Sequence, residues 1–127
     1  MTGSPAVFTI SIERKFNASH QLTLPDGSKE DLHSHNWILV VAVQRKKLDE
    51  MGLVMDFALL KTIIDRTLAP FENTQLEQSG CFDRMNSSAE NLAKYLYEKI
   101  AGLLPDGVKA DSVSITEAPG CTAKYCK

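Results

Sequence analysis

Cysteine is scarce in this chain: Cys81, Cys121 and Cys126 are the full set, and none forms a CxxC pair with another. An odd number at such spacings argues against a disulfide framework, and Cys121 and Cys126 read as free thiols near a terminus. Long apolar runs are missing too. The longest, residues 37–43, falls well short of the roughly 20 residues that a membrane-spanning helix needs. There is no surplus of positive charge: 14 Lys and Arg stand against 16 Asp and Glu, for a net charge of −2. That balance disfavours nucleic acid as a partner. Residues 1–5 lack the basic patch and apolar stretch of a secretory leader, so a reducing, cytoplasmic setting is expected. With no repeats, low-complexity tracts or linkers, residues 1–127 read as one domain. The 43% hydrophobic and 24% charged content suits a soluble globular fold.

Periodicity then sets the element order. Phe8, Ile10, Ile12 and Phe16 alternate with Thr9, Ser11, Glu13 and Lys15, which predicts a half-buried strand. A loop turning at Pro25-Asp26-Gly27 leads to residues 37–43, a strand apolar on both faces, and the two strands suggest a hairpin. After Gly52 the period lengthens. Asp56 is positioned to cap a helix with Phe57, Leu60, Ile64 and Leu68 on its inner face, ending near Pro70. Ser87-Ser88-Ala89-Glu90 fits a capping box for a second helix carrying Leu92, Leu96, Ile100 and Leu103 inward. Val113 and Ile115 mark a third strand, and residues 122–127 a short fourth. The order ββααββ implies an α+β fold, an antiparallel four-stranded sheet with both helices on one face. Its free edges and second face predict a homo-oligomer built through the sheet.

Histidine is as scarce as cysteine, yet its three copies, His20, His33 and His35, crowd into one short stretch. Residues i and i+2 of a strand share a face, so His33 and His35 present neighbouring imidazoles, and a hairpin brings His20 opposite them. Three neutral imidazoles with an open fourth position are a ligand set for catalytic zinc. The plainer alternative is a pair of hydrogen-bonded surface histidines joined by a third.

The stretches Phe16-Asn17-Ala18-Ser19-His20, Leu32-His33-Ser34-His35-Asn36-Trp37, Gly52-Leu53-Val54-Met55-Asp56-Phe57, Ser88-Ala89-Glu90-Asn91-Leu92 and Thr116-Glu117 decide between these. Their order resembles the motifs of the 6-pyruvoyl-tetrahydropterin and 6-carboxy-tetrahydropterin synthase family. The resemblance implies a tunnelling fold, with sheets joined about a three-fold axis into a barrel and trimers stacking as hexamers. It also implies Zn2+ on His20, His33 and His35 and a pterin ring anchored by Glu117. A carboxylate suits the two parallel N–H donors of such a ring, although a strand-end glutamate can equally be solvated. Ser87, Ser88 and Glu90 fall where the family places further pterin contacts, while the helix cap already accounts for Ser87 and Glu90.

Departures from the family concern the reaction. The cysteine expected shortly before the HxH pair is absent, and the Asp-His pair after the first helix is replaced by Glu72 and Asn73. An amide carries no proton near neutral pH. Glu30 stands where a subgroup of the family replaces cysteine with glutamate and resembles an aldolase, cleaving the side chain of 7,8-dihydroneopterin. The alternative is a solvated charge run of Lys29, Glu30 and Asp31. Cys81 has no activating neighbour in sequence, Trp37 reads as core, and Arg14, Lys15 and Lys124 are unsupported candidates for a substrate triphosphate. The expected function is a zinc-dependent lyase on 7,8-dihydroneopterin or its triphosphate, with Glu30 as proton acceptor and Glu72 polarising or orienting. The alternative function is a homologue that binds a pterin or purine-like ring without chemistry.

Overall fold

A computed structural model describes residues 6–127; residues 1–5, on which the leader-free reading rests, lie outside the described residues. Strand β1 (Phe8–His20) and strand β2 (His33–Arg45) form the expected hairpin, paired antiparallel from Phe8 opposite Arg45 to His20 opposite His33. Between them Gly27, at φ 88, closes the turn by donating its N–H to the carbonyl of Leu24. Helix α1 (Phe57–Leu68) starts where the Asp56 carboxylate accepts the Ala58 N–H, a cap worth about 0.5–2 kcal/mol. Helix α2 (Ala89–Ala101) follows, and strands β4 (Lys109–Ala118) and β5 (Cys121–Tyr125) end the chain. Both helices cover one face of the sheet through Leu60, Ile64, Leu92 and Leu96, packed over Leu39, Val41, Val113 and Ile115.

The sheet has five strands, not four. Strand β3 (Thr74–Gln75) adds to the outer side of β1 at Ala18 and Ser19 in parallel, giving the order β3-β1-β2-β4-β5. Two residues are too few to leave a periodic signal. The predicted inner stripes also overreach at their ends. Phe8 and Phe57 open their elements half exposed, and Leu103 lies beyond the end of α2 at 43% exposure, where fewer neighbours cover it.

The capping box moves by one residue. Ser88 is the N-cap and accepts from Asn91 N, so Ser87 does not cap the helix and Glu90 does not occupy the position that would reach back to the cap. The Ser87 hydroxyl donates instead to Glu77, and its carbonyl is taken by His20. No helix among the described residues is long and apolar enough to cross a membrane.

Candidate metal centre

Strand register builds the site. His20 lies directly opposite His33, and Ala18 opposite His35, so the three rings share the helix-facing side at one end of the sheet. Ring centroids are 4.6 Å apart for His20 and His33, 5.0 Å for His20 and His35, and 4.7 Å for His33 and His35. One ligand atom from each falls within 4.8 Å of the other two. Trp37 forms the floor, edge-on to His20 at 5.0 Å and to His35 at 5.1 Å, with its indole N–H donating to the Ala18 carbonyl at 3.0 Å.

Two imidazoles are oriented from behind by backbone carbonyls: His20 Nδ1 meets Ser87 O, and His33 Nδ1 meets Asp31 O, each at 2.8 Å. A carbonyl only accepts, so each Nδ1 carries the proton and Nε2 keeps the lone pair. This is the outer-shell pattern of metal-bound histidines. Nε2 of His20 and of His35 is buried with no hydrogen-bond partner, an unfavourable state that a cation would relieve. Burial pushes the His35 imidazole below its usual range, with Glu117 opposing the shift, which favours the neutral ring that binds metal. The donor set, its tautomers and its orphaned nitrogens thus fit a zinc ion.

Two carboxylates flank the histidines. Glu117 continues the inward face of Val113 and Ile115 and sits at a register shift in β4, an irregularity of the kind that re-aims side chains near sites. Its Oε1 lies 3.2 Å from His20 Nε2 and 3.5 Å from His35 Nε2. Glu30 Oε1 lies 3.9 Å from His33 Nε2. Three contacts tie Glu30 to the end of β1: its Oε1 accepts from Leu22 N, its carbonyl from Gln21 Nε2, and its own N–H donates to Leu22 O, each at 3.0 Å.

Other expected residues fall elsewhere. Both Glu72 oxygens accept from the Arg14 guanidinium, at 3.1 and 3.0 Å, and that bond holds the carboxyl below the usual carboxylate range. Arg14 lies six strand positions before His20, and Glu72 is turned to that guanidinium rather than to the triad within one protomer. Asn73, at φ 59, donates its N–H to Asn17 O at 2.6 Å, a backbone role in a conformation that asparagine tolerates. Ser88 Oγ accepts from Asn91 N as the cap, and Glu90 is exposed in the first turn of α2. Cys81 is half-buried, its thiol 3.2 Å from Tyr95 Oη, and all three cysteines are free. Sequence reasoning missed the Ser87 carbonyl and Glu77 behind it, because that contact crosses between loops and leaves no local pattern.

Comparison with known proteins agrees with this geometry. The chain is 31% identical over 102 residues to the dihydroneopterin monophosphate aldolase of Pyrococcus furiosus, covering 80% of this chain and 82% of the relative. It is 24% identical over 126 residues to the 6-carboxy-5,6,7,8-tetrahydropterin synthase of Rickettsia bellii, covering 84% and 91%. The solved 6-pyruvoyl tetrahydropterin synthase of Caenorhabditis elegans superposes with a TM-score of 0.85 at 24% identity, over 96% of each chain. The family model for 6-pyruvoyl tetrahydropterin synthase matches residues 9–127, from the second residue of β1 to the last of the chain. A match of that extent means that the chain belongs to the 6-pyruvoyl tetrahydropterin synthase family of pterin-metabolising enzymes.

Proposed function

We propose that the chain is a zinc-dependent lyase that cleaves the side chain of a 7,8-dihydroneopterin compound by an aldolase-type step. The observation that carries this reading is Glu30: a carboxylate pinned by Leu22 N–H beside the histidine cluster, in a chain without the family's cysteine. The likeness to an aldolase over four-fifths of the chain supports it. A zinc ion on His20, His33 and His35 would supply a Lewis acid that polarises a substrate oxygen.

Glu30 Oε1 is engaged by Leu22, which leaves Oε2 to take a proton. In the retro-aldol step Glu30 accepts the proton of the second side-chain hydroxyl. The bond between the first and second side-chain carbons breaks, the second becomes an aldehyde, and the electron pair stays on the first until it is reprotonated. A positioned base of this kind contributes about 10²–10⁴-fold. Glu117 would receive the paired N–H donors of the pterin ring, with Ser88 and Glu90 at the opening of α2 as further polar contacts. Arg14 is occupied by Asp65 and Glu72, which weakens its case as a triphosphate ligand. The outer edge of β1 beyond β3, and that of β5, are free among the described residues, which supports assembly as a trimer or hexamer.

The test is incubation of zinc-loaded protein with 7,8-dihydroneopterin and its phosphates, with products separated by chromatography. The expected product is a 6-hydroxymethyl pterin plus a two-carbon aldehyde. Glu30→Gln should abolish turnover while zinc and pterin remain bound; unchanged turnover removes Glu30 from the step. Asn73, an amide at the family's histidine position, favours a second reading in which the ring is bound without conversion. Retention of intact dihydroneopterin by zinc-loaded protein would establish that reading instead.

A further inference from the structure

The position of Glu117 is unusual for a residue that only grips a ring. Its Oε1 is 3.2 Å from one imidazole nitrogen and 3.5 Å from another, yet neither nitrogen is aligned to hydrogen-bond with it. A carboxylate oxygen so close to two imidazole nitrogens that it does not hydrogen-bond is unfavourable unless a cation is shared among them. Donors about 2.0–2.2 Å from a tetrahedral ion lie about 3.3–3.6 Å from each other, close to the 3.2 and 3.5 Å found for Glu117. Glu30, the other nearby carboxylate, is 3.9 Å from His33 and already holds Leu22 N–H through its Oε1.

We propose that Glu117 is a displaceable fourth ligand of the metal centre, which closes the site until a pterin ring draws the carboxylate away. The proposal rests on the reading above that Glu117 anchors the ring. The two tasks compete: parallel acceptance of two ring N–H donors turns both carboxylate oxygens toward the ring, which draws Oε1 from the histidines as the ring binds. Ring binding thereby frees the coordination position that the substrate side chain needs. Without substrate, the same position is shielded from water and small anions. The register shift in β4 at this residue gives the side chain local backbone irregularity from which to swing.

The experiment uses the cobalt-substituted full chain, whose d–d absorption reports coordination, together with zinc affinity from competition against a chromophoric chelator. Glu117→Gln is expected to change the cobalt bands and to weaken zinc binding at least about tenfold. A variant with unaltered bands and affinity overturns the proposal. A charge that merely sits nearby would change affinity and leave the bands alone, and that outcome also overturns it. Should Glu117→Gln fail to fold by circular dichroism, Glu117→Asp, which keeps the charge and shortens the reach, is expected to give the same band change. Pterin without a side chain is then added to the wild type, and the bands should move toward those of the glutamine variant. Pterin that binds, by fluorescence quenching, without moving them refutes the displacement. If pterin does not bind at all, the ring-anchor reading fails and displacement with it, while the variant's bands still decide ligation.

Discussion

Replacing Glu77 by alanine tests whether the metal centre is held from behind by a loop-to-loop contact. Ser87 is 1% exposed; its hydroxyl donates to Glu77, and its carbonyl receives the His20 Nδ1 proton at 2.8 Å. Without Glu77 the hydroxyl is buried with no acceptor, a loss of about 1–3 kcal/mol. The carbonyl behind His20 is freed to shift, and outer-shell losses of this kind weaken metal binding about 10–100-fold. Urea denaturation of metal-free protein reads the first quantity, and zinc competition reads the second. Ser87→Ala is the matching control, because it keeps the carbonyl and leaves half-buried Glu77 free to turn to water. It should cost less stability and less affinity. The double variant should resemble the worse single one, the signature of coupled partners. If Glu77→Ala lowers stability by less than about 0.5 kcal/mol and leaves zinc affinity unchanged, the contact is incidental and the reasoning fails.

Three further outcomes follow. Trp37 is the sole tryptophan and stands about 5 Å from two of the three imidazoles, so zinc titration should change its emission with a break at one ion per chain; a flat titration refutes the ligand set. Asn73 has φ 59, so Asn73→Ala should cost about 1–2 kcal/mol in urea denaturation and Asn73→Gly far less, whereas equal costs would point to the side chain rather than the backbone. The Arg14 bond depresses the Glu72 carboxyl, so the unfolded chain takes up that proton first as pH falls. The resulting stability is present above the unfolded carboxyl value of about 4.3 and is lost as pH drops through the lower folded value. Glu72→Gln should therefore be the less stable protein at pH 7 and should converge on the wild type in acid; a constant difference across pH would refute the pairing.

The histidine cluster was legible because two strong regularities coincide in it. Strand parity puts His33 and His35 on one face, and a hairpin with His20 opposite His33 completes the set. Helix positions were legible through their apolar stripes, although Phe57 and Leu103 show that a stripe does not announce where its cover ends. Adjacent serines made the start of α2 ambiguous, since Ser87 and Ser88 are chemically equal as caps and only the competing claims of His20 and Glu77 on Ser87 decide between them. Thr74 and Gln75 gave no sign of a strand, because two residues pair with β1 by position alone. The partner of Glu72 was hidden for a related reason. Its counterpart is a cation on a distant strand, and nothing near it in sequence names Arg14 as the partner.

Why the metal centre is clearer than its reaction follows from where each set of residues is mounted. Two of the three clustered histidines end long paired strands and the third lies two residues further in, so their spacing is set by a ladder of backbone bonds that changes little when loops vary. The groups proposed to carry the reaction, Glu30 and the segment from Glu72 to Asn73, sit on connections held by a few hydrogen bonds each. Connections accept substitution more readily than the elements they join. The chain resembles both a synthase and an aldolase over most of its length, as expected if one sheet can serve reactions that differ in their loops. On the proposed reading, substitution of Glu30, rather than exchange of the metal, is therefore the experiment that separates one reaction from another.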